Sequence, residues 1–316
     1  MLVKINELAT GMEFTGYYLL KSAMVKQTND NKSYFDMVIG DATGEMPLKF
    51  WDISDLDKET YVTGSIIKLK GIVSTYREKL QAKVLKIRLA TEEDGYQISD
   101  FVKSAPVPAA DLIHVIEQTI DQMQNENIRS IVSFCVDRVK QQLWSFPAAK
   151  SMHHSYYSGL AYHMVRMLEI GEFIIRQRPF LQADLLRAGI LLHDLGKVLE
   201  FEGGEHGICT NYTLAGQLLG HISMINTWVY EAAQQFGIDT QEAVVMALQH
   251  MVLSHHGKLE YGSPVLPQLP EAVALHYIDN LDAKLQAVED ALEGSKEECV
   301  TGIRAIDGGR VFRLNL

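Results

Sequence analysis

The chain has 316 residues, of which 47% are hydrophobic and 22% are charged, and this balance excludes an intrinsically disordered protein and leaves room for two domains. No apolar run approaches the roughly 18 residues of a membrane span, and no basic segment leads into an apolar core at the N-terminus, so we expect no membrane insertion. The net charge of −11 argues against a surface that is coated by nucleic acid throughout.

Strands dominate residues 1–90. β-Branched and aromatic residues are concentrated in five segments, which turn-forming Asn, Asp and Gly residues or short polar breaks separate. The segments are Phe14–Lys26, Ser33–Asp41, Glu45–Asp52, Gly64–Tyr76 and Lys79–Leu89. Five short strands in a unit of this size predict a small closed β-barrel.

Positive charge is concentrated near the end of this region. Residues 1–90 carry a net charge of +2, whereas the remainder carries −13. Between residues 64 and 90, Glu78 is the single acidic residue beside seven basic ones, which we call the basic stripe: Lys68, Lys70, Arg77, Lys79, Lys83, Lys86 and Arg88. Such a stripe favours either a local anionic partner or the solvated outer face of a hairpin, and charge alone does not separate the two.

Aromatic residues lie on the second and third predicted strands. Because neighbouring side chains of a strand face opposite sides, Phe35 or Phe50 is expected in the barrel core, and Tyr34 or Trp51 is expected to point outward. An outward ring can stack on a nucleobase. Together with the basic stripe, these rings predict a surface for single-stranded nucleic acid made by Tyr34, Trp51, Lys83 and Lys86.

A composition change separates this region from the rest of the chain. Residues 91–110 turn acidic and acquire Pro106 and Pro108, as expected of a linker. From Asp111 onward the apolar residues follow a helical period. The sequence therefore predicts a barrel domain at 1–90, a linker at 91–110 and a helical domain at 111–316. The cysteines Cys135, Cys209 and Cys299 form no CxxC pair and predict reduced thiols in a cytoplasmic protein.

The stretch ILLHDLGKVLEF at 190–201 places polar groups in an apolar setting. Its surroundings predict a largely buried helix over Asp184–Leu199. Burial of His193, Asp194 and Lys197 without partners would cost several kcal/mol. A metal ion with an anionic ligand would offset this cost, and so would a salt-bridged cluster near a helix end at Gly196; this segment alone favours neither.

Further histidines lie on or beside apolar helical stretches downstream of residue 160. Imidazole and carboxylate groups together are typical ligands of Mn, Fe, Co or Zn, and helical bundles build such sites from side chains on different helices. Asp194 has two oxygens with which it could bridge two ions. The candidate ligands are His163, His193, Asp194, His221, His255, His256 and Asp279.

This order of histidines and aspartates resembles the HD-domain phosphohydrolase superfamily. The resemblance implies that His163, His193, Asp194 and Asp279 hold one metal ion, and that Asp194 bridges to a second ion. It further implies that His221, His255 and His256 hold this second ion, and that Lys197 contacts the phosphate.

Longer phrases are similar to the YhaM-type 3′–5′ exoribonucleases over nearly the whole chain. They are FPAAKSMHHSYYSGLAYH (146–163), LLHDLGKV (191–198), LLGHI (218–222) and LSHHGKLEYGSPVLP (253–267). This resemblance implies a small OB-like barrel followed by an all-α HD-domain bundle. It also implies hydrolysis of single-stranded RNA, or of single-stranded DNA, to nucleoside 5′-monophosphates by a hydroxide that two metal ions activate, manganese being the first choice.

Within that expectation, Asp194 and Lys197 are the catalytic residues. His153 and His154 are expected either to contact the substrate phosphate or to serve as capping or solvent-facing polar residues. Two other functions stay open: a phosphodiesterase or nucleotidase for small nucleotides, and a nucleic-acid-binding regulator whose HD domain is only structural. Whether the chain forms a homo-oligomer is also open.

Overall fold

The protein is described by a computed structural model that covers residues 3–28, 30–76, 79–96, 100–148, 156–203, 207, 209–295 and 297–314. It consists of two compact units, Met1–Ser104 and Ala105–Leu316. The boundary lies within the segment 91–110 that was predicted as a linker. The first part of this segment belongs to the first unit. Asp94 accepts hydrogen bonds there from Tyr17 at 2.6 Å and from Arg88 at 2.7 Å, and both of these residues lie on strands of that unit.

Five strands form the closed barrel of the first unit, which confirms the predicted architecture. They are β1 (Glu13–Gln27), β2 (Ser33–Asp41), β3 (Gly44–Trp51), β4 (Ile66–Tyr76) and β5 (Lys79–Leu89), with a short helix α1 (Asp55–Thr60) between β3 and β4. The strand order around the barrel is β1-β2-β3-β5-β4, with β3 and β5 parallel and the other pairs antiparallel. This arrangement is that of an OB fold.

Side-chain alternation fills the barrel as predicted. Phe35 is 2% exposed within the barrel core, and Phe50 packs against that core opposite it in the β2–β3 register. Their neighbours Tyr34 and Trp51 are also register partners and therefore face outward together. The period of two along these strands thus places one aromatic pair inside the barrel and one on its surface.

Helices build the second unit and enclose one apolar core, which confirms the predicted helical bundle. Their bounds are α2 (Ala109–Asp121), α3 (Glu126–Asp137), α4 (Lys140–Leu143), α5 (Gly159–Gln177), α6 (Ala183–Leu192), α7 (Lys197–Glu200), α8 (Leu214–Leu218), α9 (Gly220–Gln235), α10 (Ala243–Ser254) and α11 (Pro270–Glu293). Two short hairpins accompany the helices: β6 (Phe201–Gly203) with β7 (Cys209–Tyr212), and β8 (Cys299–Ile303) with β9 (Gly309–Phe312). Within the described ranges, no helix combines the length and the apolarity that a bilayer crossing needs.

The predicted helix over Asp184–Leu199 is wrong at residues 193–196, where a turn separates α6 from α7. Helix α6 ends at Leu192, and a tight turn with hydrogen bonds between residues three apart precedes α7. A Cβ atom on Gly196 would lie 2.6 Å from the carbonyl oxygen of His221, so only glycine permits this approach of the turn to α9. The turn thereby brings His193 and Asp194 to the first turn of α9.

Candidate metal centre

Five helices of the second unit bring the predicted ligands together. His163 lies on α5, His193 and Asp194 follow α6, His221 is in the first turn of α9, His255 and His256 follow α10, and Asp279 is on α11. Two triads have ligand atoms within 4.8 Å of one another: His163 with His193 and Asp194, and His221 with His255 and His256. His153 and His154 lie outside the described residues.

Asp194 belongs to the first triad and also faces the second, and it turns a different oxygen to the histidines of each. Its Oδ2 is 3.2 Å from Nε2 of His193 and 3.8 Å from Nε2 of His163. Its Oδ1 is 3.5 Å from Nε2 of His221 and 3.9 Å from Nε2 of His255. Asp279 adds a second carboxylate on the first side, with Oδ1 3.3 Å from Nε2 of His163. This geometry matches a carboxylate that can serve two neighbouring cations.

Backbone carbonyls fix the orientation of three of the imidazole rings. In each ring Nδ1 donates to a carbonyl oxygen: His193 to Ile190 at 2.8 Å, His255 to Val252 at 2.7 Å, and His256 to Tyr261 at 2.7 Å. A carbonyl oxygen only accepts, so the proton of the neutral ring resides on Nδ1. The lone pair is therefore on Nε2, which is the form that binds a metal ion.

Buried carboxylates hold the other two rings. Nδ1 of His163 is 2.7 Å from Oδ2 of Asp282, and Nδ1 of His221 is 2.9 Å from Oε2 of Glu200. Glu200 was not among the residues predicted from the sequence. The available signal was an acidic residue in the otherwise apolar sequence KVLEF, directly after the His-Asp pair.

The ligand atoms are arranged to contact a cation and not to form hydrogen bonds with one another. Among the described residues, the buried Nε2 atoms of His193, His221 and His255 have no hydrogen-bond partner. Nε2 of His193 and Oδ2 of Asp194 both present lone pairs at 3.2 Å, and no hydrogen atom is available between two acceptors. Unsatisfied buried groups of this kind cost roughly 1–3 kcal/mol each, which a bound divalent ion would offset. The donor set of imidazoles and carboxylates suits Mn, Fe, Co or Zn.

The surroundings keep two of the candidate ligands, Asp194 and His255, in their metal-binding forms. Burial would raise the pKa of Asp194, but His193 and Lys197 outweigh it and hold this pKa well below its usual value. Burial lowers the pKa of His255 far below its usual range, and His256 and His193 lower it further. Asp194 is therefore a carboxylate and His255 a neutral imidazole at neutral pH.

Lys197 points its ammonium into the centre. Its Nζ donates to Oδ2 of Asp194 at 2.6 Å, and its side chain is only 14% exposed. Burial lowers the pKa of Lys197, but Asp194 outweighs burial and raises it above the ordinary value. A charged amine is thus held beside the carboxylate whose two oxygens face the two sets of imidazoles.

The predicted aromatic surface of the barrel forms a groove of about 660 Å³. The rings of Tyr34 and Trp51 are stacked, with centroids 4.5 Å apart, and Trp51 is 42% exposed. Lys49, Tyr76 and Lys79 also line this groove. Its walls therefore combine flat apolar rings with positive charge.

The described residues of the basic stripe do not form one surface, and Arg77 lies outside the described residues. Lys83 is exposed and lies opposite Lys49, a groove residue, in the β3–β5 register. Lys86 lines a different cavity together with Lys68, Lys70 and Arg88. Three of those four cations have acidic neighbours: Arg88 and Lys68 contact Asp94, and Lys70 lies 3.1 Å from Glu13. The structure thus places Lys83 near the aromatic groove and Lys86 away from it.

Comparison with known proteins identifies the family. Residues 160–284, which contain all seven candidate ligands, match the HD domain. A 3′–5′ exoribonuclease YhaM from Geobacillus sp. (strain WCH70) is 44% identical over 90% of this chain and 87% of its own. The chain belongs to the YhaM family of 3′–5′ exoribonucleases. A YhaM of Bacillus subtilis (strain 168) is 42% identical over 90% of both chains.

Several solved OB-fold structures resemble the barrel. The second OB-fold domain of replication protein A from Methanococcus maripaludis matches 28% of this chain and 94% of its own, with 21% identity and a TM-score of 0.24. An OB domain from Thermoplasma acidophilum matches 28% of this chain and 85% of its own, with 14% identity and a TM-score of 0.24. The OB assignment itself rests on the strand order of the closed barrel.

Proposed function

We propose that this member of the YhaM family is a divalent-metal-dependent 3′–5′ exoribonuclease that releases nucleoside 5′-monophosphates from single-stranded RNA at a centre of two ions. The observation that carries this proposal is the position of Asp194, whose two oxygens face two separate sets of imidazoles. Manganese is the first candidate, and iron, cobalt and zinc suit the same ligands.

The residues divide into two ligand sets in this proposal. His163, His193 and Asp279 would hold the first ion, and Asp194 would be shared by both ions. The second ion would be held by His221, His255 and His256. Bound divalent ions supply an activated water nucleophile and neutralise the charge of the phosphate under attack.

The protein itself contributes orientation and charge. Hydrogen bonds on Nδ1 fix the rings so that each Nε2 points inward before any ligand arrives. Lys197 supplies a positive charge within reach of Asp194, where it would neutralise charge that develops on a non-bridging phosphate oxygen. Together these residues form a preorganised site that favours an anionic transition state.

The barrel would hold the single strand. The stacked rings of Tyr34 and Trp51 offer a platform for bases of any sequence, and the nearby lysines offer contacts for phosphates. Such a groove suits RNA and single-stranded DNA alike. A cytoplasmic location is part of this proposal and is supported by the free cysteines Cys135, Cys209 and Cys299.

We expect base stacking and phosphate contacts at the groove to affect RNA binding in different ways. Trp51→Ala should weaken binding of single-stranded RNA by about 1–3 kcal/mol with little change in its salt dependence. Lys83→Ala should instead reduce the slope of log affinity against log salt by about 0.7, as expected for one phosphate contact. Leu56→Ala is a matched control, because Leu56 is exposed on α1 and does not line the groove. Unchanged binding in both test variants would assign the groove another role.

A comparison of substrates tests the proposed function against its rivals. The purified protein should degrade a short oligoribonucleotide in a metal-dependent manner, and much faster than it hydrolyses cyclic dinucleotides or mononucleotides. The opposite preference would indicate a phosphodiesterase or nucleotidase for small nucleotides. A protein that binds RNA but holds no divalent metal and hydrolyses none of these substrates would instead be a nucleic-acid-binding regulator.

A further inference from the structure

Glu200 approaches His221 from the side opposite the candidate metal centre. We propose that Glu200 is a positioning residue, which fixes the His221 imidazole so that it can hold the second ion. This inference rests on the proposed two-ion function and deepens it. It predicts that loss of the Glu200 carboxylate weakens binding of the second ion and not of the first.

Two hydrogen bonds connect the Glu200 carboxylate to the same residue. Oε2 accepts from Nδ1 of His221 at 2.9 Å, and Oε1 accepts from the His221 backbone N–H at 3.4 Å. The first bond places the ring proton on Nδ1 and leaves the Nε2 lone pair directed toward Asp194. The second bond ties the carboxylate to the backbone that carries the ring. One carboxylate thus controls both the tautomer and the rotation of the imidazole.

The helix geometry explains why His221 needs a side-chain partner. His193 and His255 each lie at the C-terminal end of a helix, where the carbonyl three residues earlier accepts from Nδ1. His221 lies in the first turn of α9, directly after Gly220 with a φ of +70°. The first turn of a helix presents N–H groups, not carbonyls, and Nδ1 of His221 is bonded to a side-chain carboxylate and not to a backbone carbonyl. A carboxylate from α7 takes that place.

The position of Glu200 is itself fixed by packing. Glu200 is 9% exposed at the end of α7, and its backbone carbonyl accepts from the N–H of Thr213 at 2.9 Å. A Cβ atom on Gly216 would lie only 2.2 Å from that carbonyl oxygen, so α8 can approach only because residue 216 is glycine. The carboxylate is therefore held before any ion binds. A carboxylate behind a metal-binding histidine orients the ring and raises its basicity.

Glu200→Gln tests this inference with little change in shape. The amide offers one acceptor oxygen and one donor in place of two acceptors, so one of the two hydrogen bonds to His221 is lost. In manganese titrations of the full-length protein, we expect one of two binding events to weaken by about 10–100-fold while the other is unchanged. Asp282→Asn is the matched control, because Asp282 lies beside Nδ1 of His163, a candidate ligand of the first ion, as Glu200 lies beside Nδ1 of His221.

A double-mutant cycle with His221→Ala shows whether Glu200 acts through this histidine. If it does, the combined variant should bind manganese no more weakly than His221→Ala alone. Additive losses, or two unchanged binding events in both Glu200→Gln and Glu200→Ala, would overturn the inference. Glu200→Gln decides the question if melting curves show that the alanine variant does not fold.

Nitrogen NMR of the metal-free protein separates this inference from the proposed function. The His221 ring should carry its proton on Nδ1 in the parent protein and lose that preference in Glu200→Ala. Retention of the same tautomer in the variant would overturn the role of Glu200. Binding of fewer than two manganese ions by the parent protein would instead contradict the two-ion function, and the tautomer measurement would still decide the role of Glu200.

Discussion

Asp194→Ala is expected to abolish RNA hydrolysis and to remove both divalent ions. The carboxylate is within 4 Å of Nε2 atoms from both triads, so its loss affects both ligand sets at once. We expect turnover to fall by at least about 10³-fold, which corresponds to roughly 4 kcal/mol of transition-state stabilisation. Metal content after dialysis and initial rates on a short oligoribonucleotide measure the two effects.

Two further variants make this result specific to the shared carboxylate. Asp194→Asn keeps the side-chain volume beside Lys197 and should lose activity to a similar degree. Asp239→Ala removes an exposed carboxylate in the turn after α9 and should leave both metal content and turnover unchanged. Near-normal turnover of Asp194→Ala in excess manganese would contradict the assignment of Asp194 as the shared ligand.

Lys197→Ala is expected to lower turnover by about 10²–10³-fold while both ions stay bound. This is the effect of removing one preorganised electrostatic contact to the transition state. The Lys197 ammonium donates a hydrogen bond to Asp194, but it has no lone pair with which to bind a metal ion while it is charged. Rates at saturating substrate, together with metal content, separate loss of catalysis from loss of the ions.

Two further variants test whether the effect comes from the positive charge of Lys197. Lys197→Arg keeps the charge in a different shape and should recover part of the lost turnover. Lys284→Ala removes an exposed lysine on α11 and should have no effect. Loss of metal from Lys197→Ala would show that this lysine maintains the structure of the centre and does not act on the phosphate.

The features that sequence analysis predicted correctly depend on local patterns. The strands of the barrel alternate in burial with a period of two, so the inward position of Phe35 and the outward position of Trp51 follow from the pattern within each strand. The helical unit likewise follows from its apolar period. Histidines in apolar helical stretches predicted a cluster of ligand groups because their burial requires compensation, and the structure brings these histidines together.

The features that it did not predict depend on contacts between distant residues. The turn after Leu192 exists because Gly196 allows close approach to His221, which is 25 residues further along the chain. Glu200 meets His221 across 21 residues through a hydrogen bond that no periodicity encodes. The division of the basic stripe likewise depends on Asp94, which lies in the segment predicted as a linker but pairs with Arg88 on β5.

Degradation of RNA that carries a label at its 5′ end tests the central claim most directly. With manganese present, we expect labelled products that shorten progressively from the 3′ end, together with unlabelled nucleoside 5′-monophosphates. A chelator should stop the reaction, and returned manganese should restore it. Immediate release of a labelled mononucleotide, internal fragments without progressive shortening, or undiminished hydrolysis after removal of the metal would contradict it.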